Sequence, residues 1–142
     1  MNLSLILLII YLVFCSYSDI KNKYIPYMPT IIIFILLSIL QFANVIVSSK
    51  NILPFIISFI PGLIMLLLSY ITRESIGYGD SILLALCTIC IGIWNGIFVI
   101  MCAFIYAAIF SLFLLLKGKK HRETIPFIPF IFLSLLSYLL LF

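Results

Sequence analysis

Charge is what this sequence has least of. Its 142 residues include eight Lys or Arg and four Asp or Glu, or 8% charged, where an ordinary soluble domain carries about 25%. Such a chain cannot cover a water-facing surface, which excludes a soluble globular enzyme, a disordered tail and a nucleic-acid-binding module. Metal-ligating residues are equally sparse. The single histidine, His121, sits among Lys119, Lys120 and Arg122 and reads as a solvated loop residue. Of four cysteines, Cys87 and Cys90 form a C-x-x-C in the middle of an apolar run, and only Cys15 and Cys102 remain. Zinc wants four ligands, so these cysteines read as small hydrophobes, and no metal or cofactor is expected.

What the chain does have is apolar length, with 66% hydrophobic residues. The charges fall in clusters, and six candidate spans lie between them at 3–17, 27–47, 52–71, 81–94, 97–116 and 125–142. A membrane-crossing helix takes roughly 20 residues, so little remains for connections. The expectation is an all-α polytopic membrane protein, one transmembrane domain over 1–142 with no soluble domain. The fourth span is the shortest; its fourteen residues rise about 21 Å against a ~30 Å hydrocarbon core. Seven of the eight positive residues (Lys21, Lys23, Arg73, Lys117, Lys119, Lys120, Arg122) fall in the odd-numbered loops, whereas Lys50 alone falls in an even one. The positive-inside rule puts the odd loops in the cytoplasm and both termini outside it. The first run lacks a basic n-region, and Cys15-Ser16-Tyr17 is a poor cleavage site, so it reads as a permanent helix and not a signal peptide.

Four acids must be placed. Glu74 and Glu123 neighbour basic loop residues and read as solvated. Asp19 and Asp80 each sit where an apolar span meets a cytoplasmic loop, and the two crossings between them return Asp80 to the face of Asp19. Two carboxylates held close in a partly dehydrated site cannot both ionise comfortably, so one keeps a proton while the other acts as a base. Gly77 and Gly79 precede Asp80 and allow a tight turn and close substrate approach. The plainer reading makes Asp80 the N-cap of the fourth helix and Asp19 an interfacial anchor.

Asp19-Ile20-Lys21-Asn22-Lys23-Tyr24-Ile25-Pro26, followed by Thr30, resembles the first aspartate motif of type IV prepilin peptidases. Gly77-Tyr78-Gly79-Asp80 resembles their G-x-G-D motif. Ile125-Pro126-Phe127-Ile128-Pro129-Phe130 is similar to their closing proline-phenylalanine-x-proline segment. The resemblance runs over essentially the whole chain, in order. It implies a membrane-embedded aspartic endopeptidase that removes the basic leader of prepilin-like precursors at the cytoplasmic face of the cell membrane, beside the substrate's hydrophobic N-terminal helix. By carry-over, Asp19 and Asp80 are the catalytic pair. Gly77 and Gly79 shape the turn before Asp80, and Pro26, Pro126 and Pro129 shape the helix starts beside the site. The family's proteolysis uses no metal.

Three positions depart from the family pattern: Ile82 stands where lysine is usual, Tyr27 where asparagine is common, and Ile128 where glycine is common. The four-cysteine N-methyltransferase domain of full-length bacterial members has no counterpart after the first span, so no methyltransferase activity is expected. Presenilin-like proteases also use G-x-G-D, but they place a tyrosine before the first aspartate, where this chain has Ser18, and carry a Pro-Ala-Leu segment absent here. The alternative from another class is an inactive peptidase relative, or a small transporter or scaffold. A transporter is expected to show paired repeats or broken helices near the midplane, and none is visible in the sequence.

Overall fold

A computed structural model describes residues 3–22, 26–49, 51–71, 77–117 and 126–141. The expectations for Lys23, Lys50, Arg73, Glu74, Lys119, Lys120, His121, Arg122 and Glu123 lie outside these residues. The described chain is all helix: α1 (Leu3–Asn22), α2 (Tyr27–Val47), α3 (Ile52–Ile57), α4 (Ile60–Ile71), α5 (Tyr78–Ile91), α6 (Ile93–Leu116) and α7 (Ile128–Leu141). Four segments among the described residues are long and apolar enough to cross a membrane: Leu3–Lys21, Tyr27–Val47, Ile52–Ile71 and Ile93–Leu116. Helices α5 and α7 are shorter apolar helices.

Three boundaries differ from the sequence reading. Helix α1 runs on to Asn22, so Asp19 lies within its last turn and not beyond its end. The third span is broken at Ser58 and Phe59, just before Pro61. Proline lacks the N–H that would continue the α3 ladder, so the chain restarts as α4. The turn expected at Asn95 and Gly96 is helical. The break falls instead at Gly92 (φ 88°, ψ 162°), a conformation essentially reserved for glycine. Asn95 lies in the first turn of α6, where its Nδ2 donates to the Ile91 carbonyl at 3.1 Å and satisfies one orphan acceptor at the end of α5.

Helix α5 is the pillar of the bundle. Gly79, Ser81 and every residue from Leu83 to Cys90 are buried, and α1, α2, α4, α6 and α7 all pack against it. Small residues allow the closest approaches, as is usual between membrane helices. A Cβ at Gly62 on α4 would collide with the Cβ of Ala85, and one at Gly96 on α6 would lie 2.5 Å from Thr88 Cγ2. Cys87 and Cys90 belong to this apolar core together with Leu83, Leu84 and Leu86.

Polar side chains join the helices across their interfaces. Tyr11 and Thr30 hydroxyls lie 2.7 Å apart between α1 and α2; Ser4 donates to Gln41 at 3.0 Å. Thr88 Oγ1 donates to the Ser58 carbonyl at 2.8 Å, and Ser81 Oγ to the Met65 carbonyl at 3.3 Å. Tyr106 and Ser137 hydroxyls are 3.0 Å apart between α6 and α7. These pairings run antiparallel in each case. They bring the end of α1 and the starts of α2, α5 and α7 to one end of the bundle.

Candidate active site

Asp19 enters the site from α1, on the stripe that also carries Tyr11 and Cys15. These residues are spaced four apart, so they share one helix face. That face is turned inward: Tyr11, Cys15 and Asp19 are all buried, Asp19 being only 7% exposed. A carboxylate so placed needs a hydrogen-bond donor. The backbone N–H of Ile128 supplies one, 3.2 Å from Asp19 Oδ2, and the neighbouring Phe127 backbone N–H also donates to Asp19.

The sequence of α7 explains why the Ile128 donor is free. The first N–H groups of a helix have no partner within it. In α7, Phe130 N and Ile131 N turn back to the Phe127 carbonyl at 3.0 and 3.3 Å, and Pro129 has no N–H to offer. The N–H of Ile128, first residue of the helix, is the orphan that Asp19 satisfies. A carboxylate at a helix N-terminus also meets the positive end of the dipole. Pro126 and Pro129 thus frame the main-chain donors at the start of α7. The Ile128 side chain is fully buried in the core, so the glycine common at this position in the resembling family is replaced here by a packing residue.

Asp80 enters from the first turn of α5. Gly77, not Asp80, is the N-cap, which corrects the plainer reading. Nor do the glycines form the tight turn expected of them. Gly77 (φ −60°, ψ 137°) has a backbone that any residue adopts, and Gly79 is helical. What Gly77 supplies is space: a Cβ there would stand 3.1 Å from Asp80 Oδ2. The start of α5 is fixed by Ser81, whose hydroxyl lies 3.3 Å from both the Gly77 and the Met65 carbonyls. Asp80 Oδ1 is buried and has no hydrogen-bond partner among the described residues.

The two carboxylates are brought together. Both stand at the same end of the bundle, where α1 packs on α5. Pro26 stands further off. As the N-cap of α2 it offers its carbonyl to Thr30 N at 3.2 Å and Thr30 Oγ1 at 2.8 Å, and Thr30 in turn meets Tyr11. Its part is to seat α2 on the stripe that carries Asp19. Tyr27 is exposed on the first turn of α2, and Ile82 is half-buried beside Asp80.

The Ile128 N–H and the Tyr11–Thr30 pair were missed in the sequence. The four-residue spacing of Tyr11, Cys15 and Asp19 could have shown the stripe. Among the described residues no three His, Cys, Asp or Glu gather in a metal-binding group. A cavity of about 650 Å³, lined by residues such as Gln41, Ser58, Cys90 and Gly92, lies at the opposite end of the bundle from the aspartates.

Two carboxyl groups of this kind can share one proton and act on a water molecule in concert. Among known proteins, the model of the type IV leader peptidase family matches residues 6–114. The match takes in Asp19 and Gly77 to Asp80 and ends before the Pro126–Phe130 segment. No curated protein and no solved structure matches the chain.

Proposed function

Since the chain belongs to the type IV leader peptidase family, we propose that it is a membrane-embedded aspartic endopeptidase whose catalytic pair is Asp19 and Asp80. The observation that carries this reading is the placement of two carboxyl groups at one end of the bundle, a buried one on α1 and a half-buried one on α5, where α1 packs on α5. One is oriented by a backbone N–H, and the other keeps an oxygen free of protein partners among the described residues.

In the reaction, the ionised member of the pair takes a proton from water as the water oxygen attacks the scissile carbonyl. The protonated member hydrogen-bonds the carbonyl oxygen. As the tetrahedral intermediate collapses, a proton passes to the leaving nitrogen and the C–N bond breaks. The titration that governs this belongs to the pair and not to either residue. Gly77 leaves the approach to Asp80 open, and Gly79 is buried in the first turn of α5 beside it. Pro126 and Pro129 set the α7 start that holds Asp19, and Pro26 sets that of α2.

The substrate proposed is a prepilin-like precursor with a short basic leader and a hydrophobic N-terminal helix that lies in the bilayer beside the enzyme. The chain acts as one membrane domain over 1–142 in the cell membrane, with six crossings and both termini outside the cytoplasm. Seven of eight basic residues in the odd-numbered loops support an active site at the cytoplasmic face.

Co-expression with a prepilin tests the pair directly. Asp19→Asn and Asp80→Asn should each abolish the mobility shift that marks leader removal, while the variant protein stays in the membrane fraction. Leader removal that survives either substitution overturns the two-aspartate mechanism.

A further inference from the structure

Helices α6 and α7 leave a second feature on the outside of the bundle. Between them runs an apolar groove of about 310 Å³, lined by Tyr106, Ile109, Phe110, Phe113, Phe130 and Leu133. Ile109, Phe110, Phe113 and Leu133 are exposed, so the groove opens on the outside of the bundle. Its deep end presents no unmet polar group, because the Tyr106 hydroxyl is joined to Ser137. The Phe110 and Phe130 rings, 5.3 Å apart, bridge the two walls. From Tyr106 to Phe113 the groove follows α6 for about 10 Å at 1.5 Å per residue.

Its mouth is charged. Lys117, the C-cap of α6, holds its Nζ 4.4 Å over the ring of Phe113, one of the groove residues. An occupant must therefore be apolar along roughly two helical turns and negative at one end. A prepilin helix preceded by a basic leader has the wrong sign at that end. An anionic phospholipid has the right one: an acyl chain for the groove and a phosphate for the ammonium.

We propose that the α6–α7 groove is a binding site for one anionic phospholipid, with an acyl chain against Phe110, Phe113 and Phe130 and the headgroup phosphate at Lys117. The site stands on α6 and α7 alone, and the proposal holds whether or not the chain is a peptidase.

The test is native mass spectrometry of the full chain, released from detergent with equimolar phosphatidylglycerol and phosphatidylcholine. Wild type should retain phosphatidylglycerol preferentially. Lys117→Gln should cut that preference roughly fivefold, the value of one basic residue near an anionic headgroup, and Lys117→Arg should keep it. Leu133→Trp, which fills the groove from an exposed position, should lower retention of both lipids. The proposal is overturned by equal retention of the two lipids in wild type, by a preference that is undiminished in Lys117→Gln or is lost in Lys117→Arg, or by unchanged retention in Leu133→Trp. It is equally overturned if a photo-crosslinker at Ile109, in membranes with a co-expressed prepilin, captures the prepilin helix and not lipid.

Discussion

The hydrogen bond from Ile128 to Asp19 turns a backbone atom into part of the site, and it can be removed without removing a helix. Proline is tolerated at the first position of a helix, where its missing N–H has no intrahelical use. Ile128→Pro should therefore leave the α7 backbone start in place but remove one of the main-chain donors to Asp19. A hydrogen bond to a charged group is worth about 1.5–3 kcal/mol, so the initial rate of leader cleavage should fall roughly 10- to 100-fold. Ile128→Val retains the N–H and should cost stability of about 1 kcal/mol with little loss of rate. Equal rates in the two variants would refute the positioning role. At Gly77 the constraint is space. With a Cβ placed 3.1 Å from Asp80 Oδ2, Gly77→Ala must push the carboxyl aside by a few tenths of an ångström. Cleavage should slow about three- to tenfold, less than the ~100-fold that a full ångström of misplacement costs.

At the scale of the helices, the approach of α4 to α5 governs where Asp80 stands. Gly62→Ala sets a methyl group against Ala85 and must part the two helices. Unfolding in detergent should come earlier by about 1–3 kcal/mol, with a parallel fall in cleavage. Ala85→Gly in the same chain removes the opposing methyl and should restore most of both. A double variant no better than Gly62→Ala would mean that this contact does not set the position of α5. The helices themselves were largely legible because the few charges punctuate the apolar runs, and the two aspartates stood out because acids are so rare. The boundaries were less legible where the deciding partner is distant in sequence. Ser16-Tyr17-Ser18-Asp19 reads as the end of a helix, but α1 continues because Asp19 finds its donor on α7, 109 residues away. Asn95-Gly96 reads as a turn, yet Gly92 takes the break through a backbone conformation that composition does not display. The Ile128 donor was hidden for a simpler reason: a main-chain N–H carries no side-chain signature, and only Pro129 and the folded start of α7 single it out.

For the molecule as a whole, the end that gathers Asp19, Asp80 and the start of α7 should face the cytoplasm. Single cysteines at positions 21, 73 and 119, in a chain whose native cysteines are replaced, should react with an impermeant maleimide only after the membrane is opened. Labelling of intact cells at any of the three would reverse the orientation. The bundle also has a temporal side. Only one residue, Gly92, separates α5 from α6, and α5 alone offers about 21 Å of apolar length against a ~30 Å bilayer core. The two helices should therefore leave the insertion machinery together as a hairpin. Asp80 is then placed only when α6 has followed it, and Asp19 gains its main-chain donors later still, when Phe127 and Ile128 arrive. On the proposed mechanism, a nascent chain that carries Asp19 cannot yet cleave, and α7, made after the other described helices, is the one that completes the site.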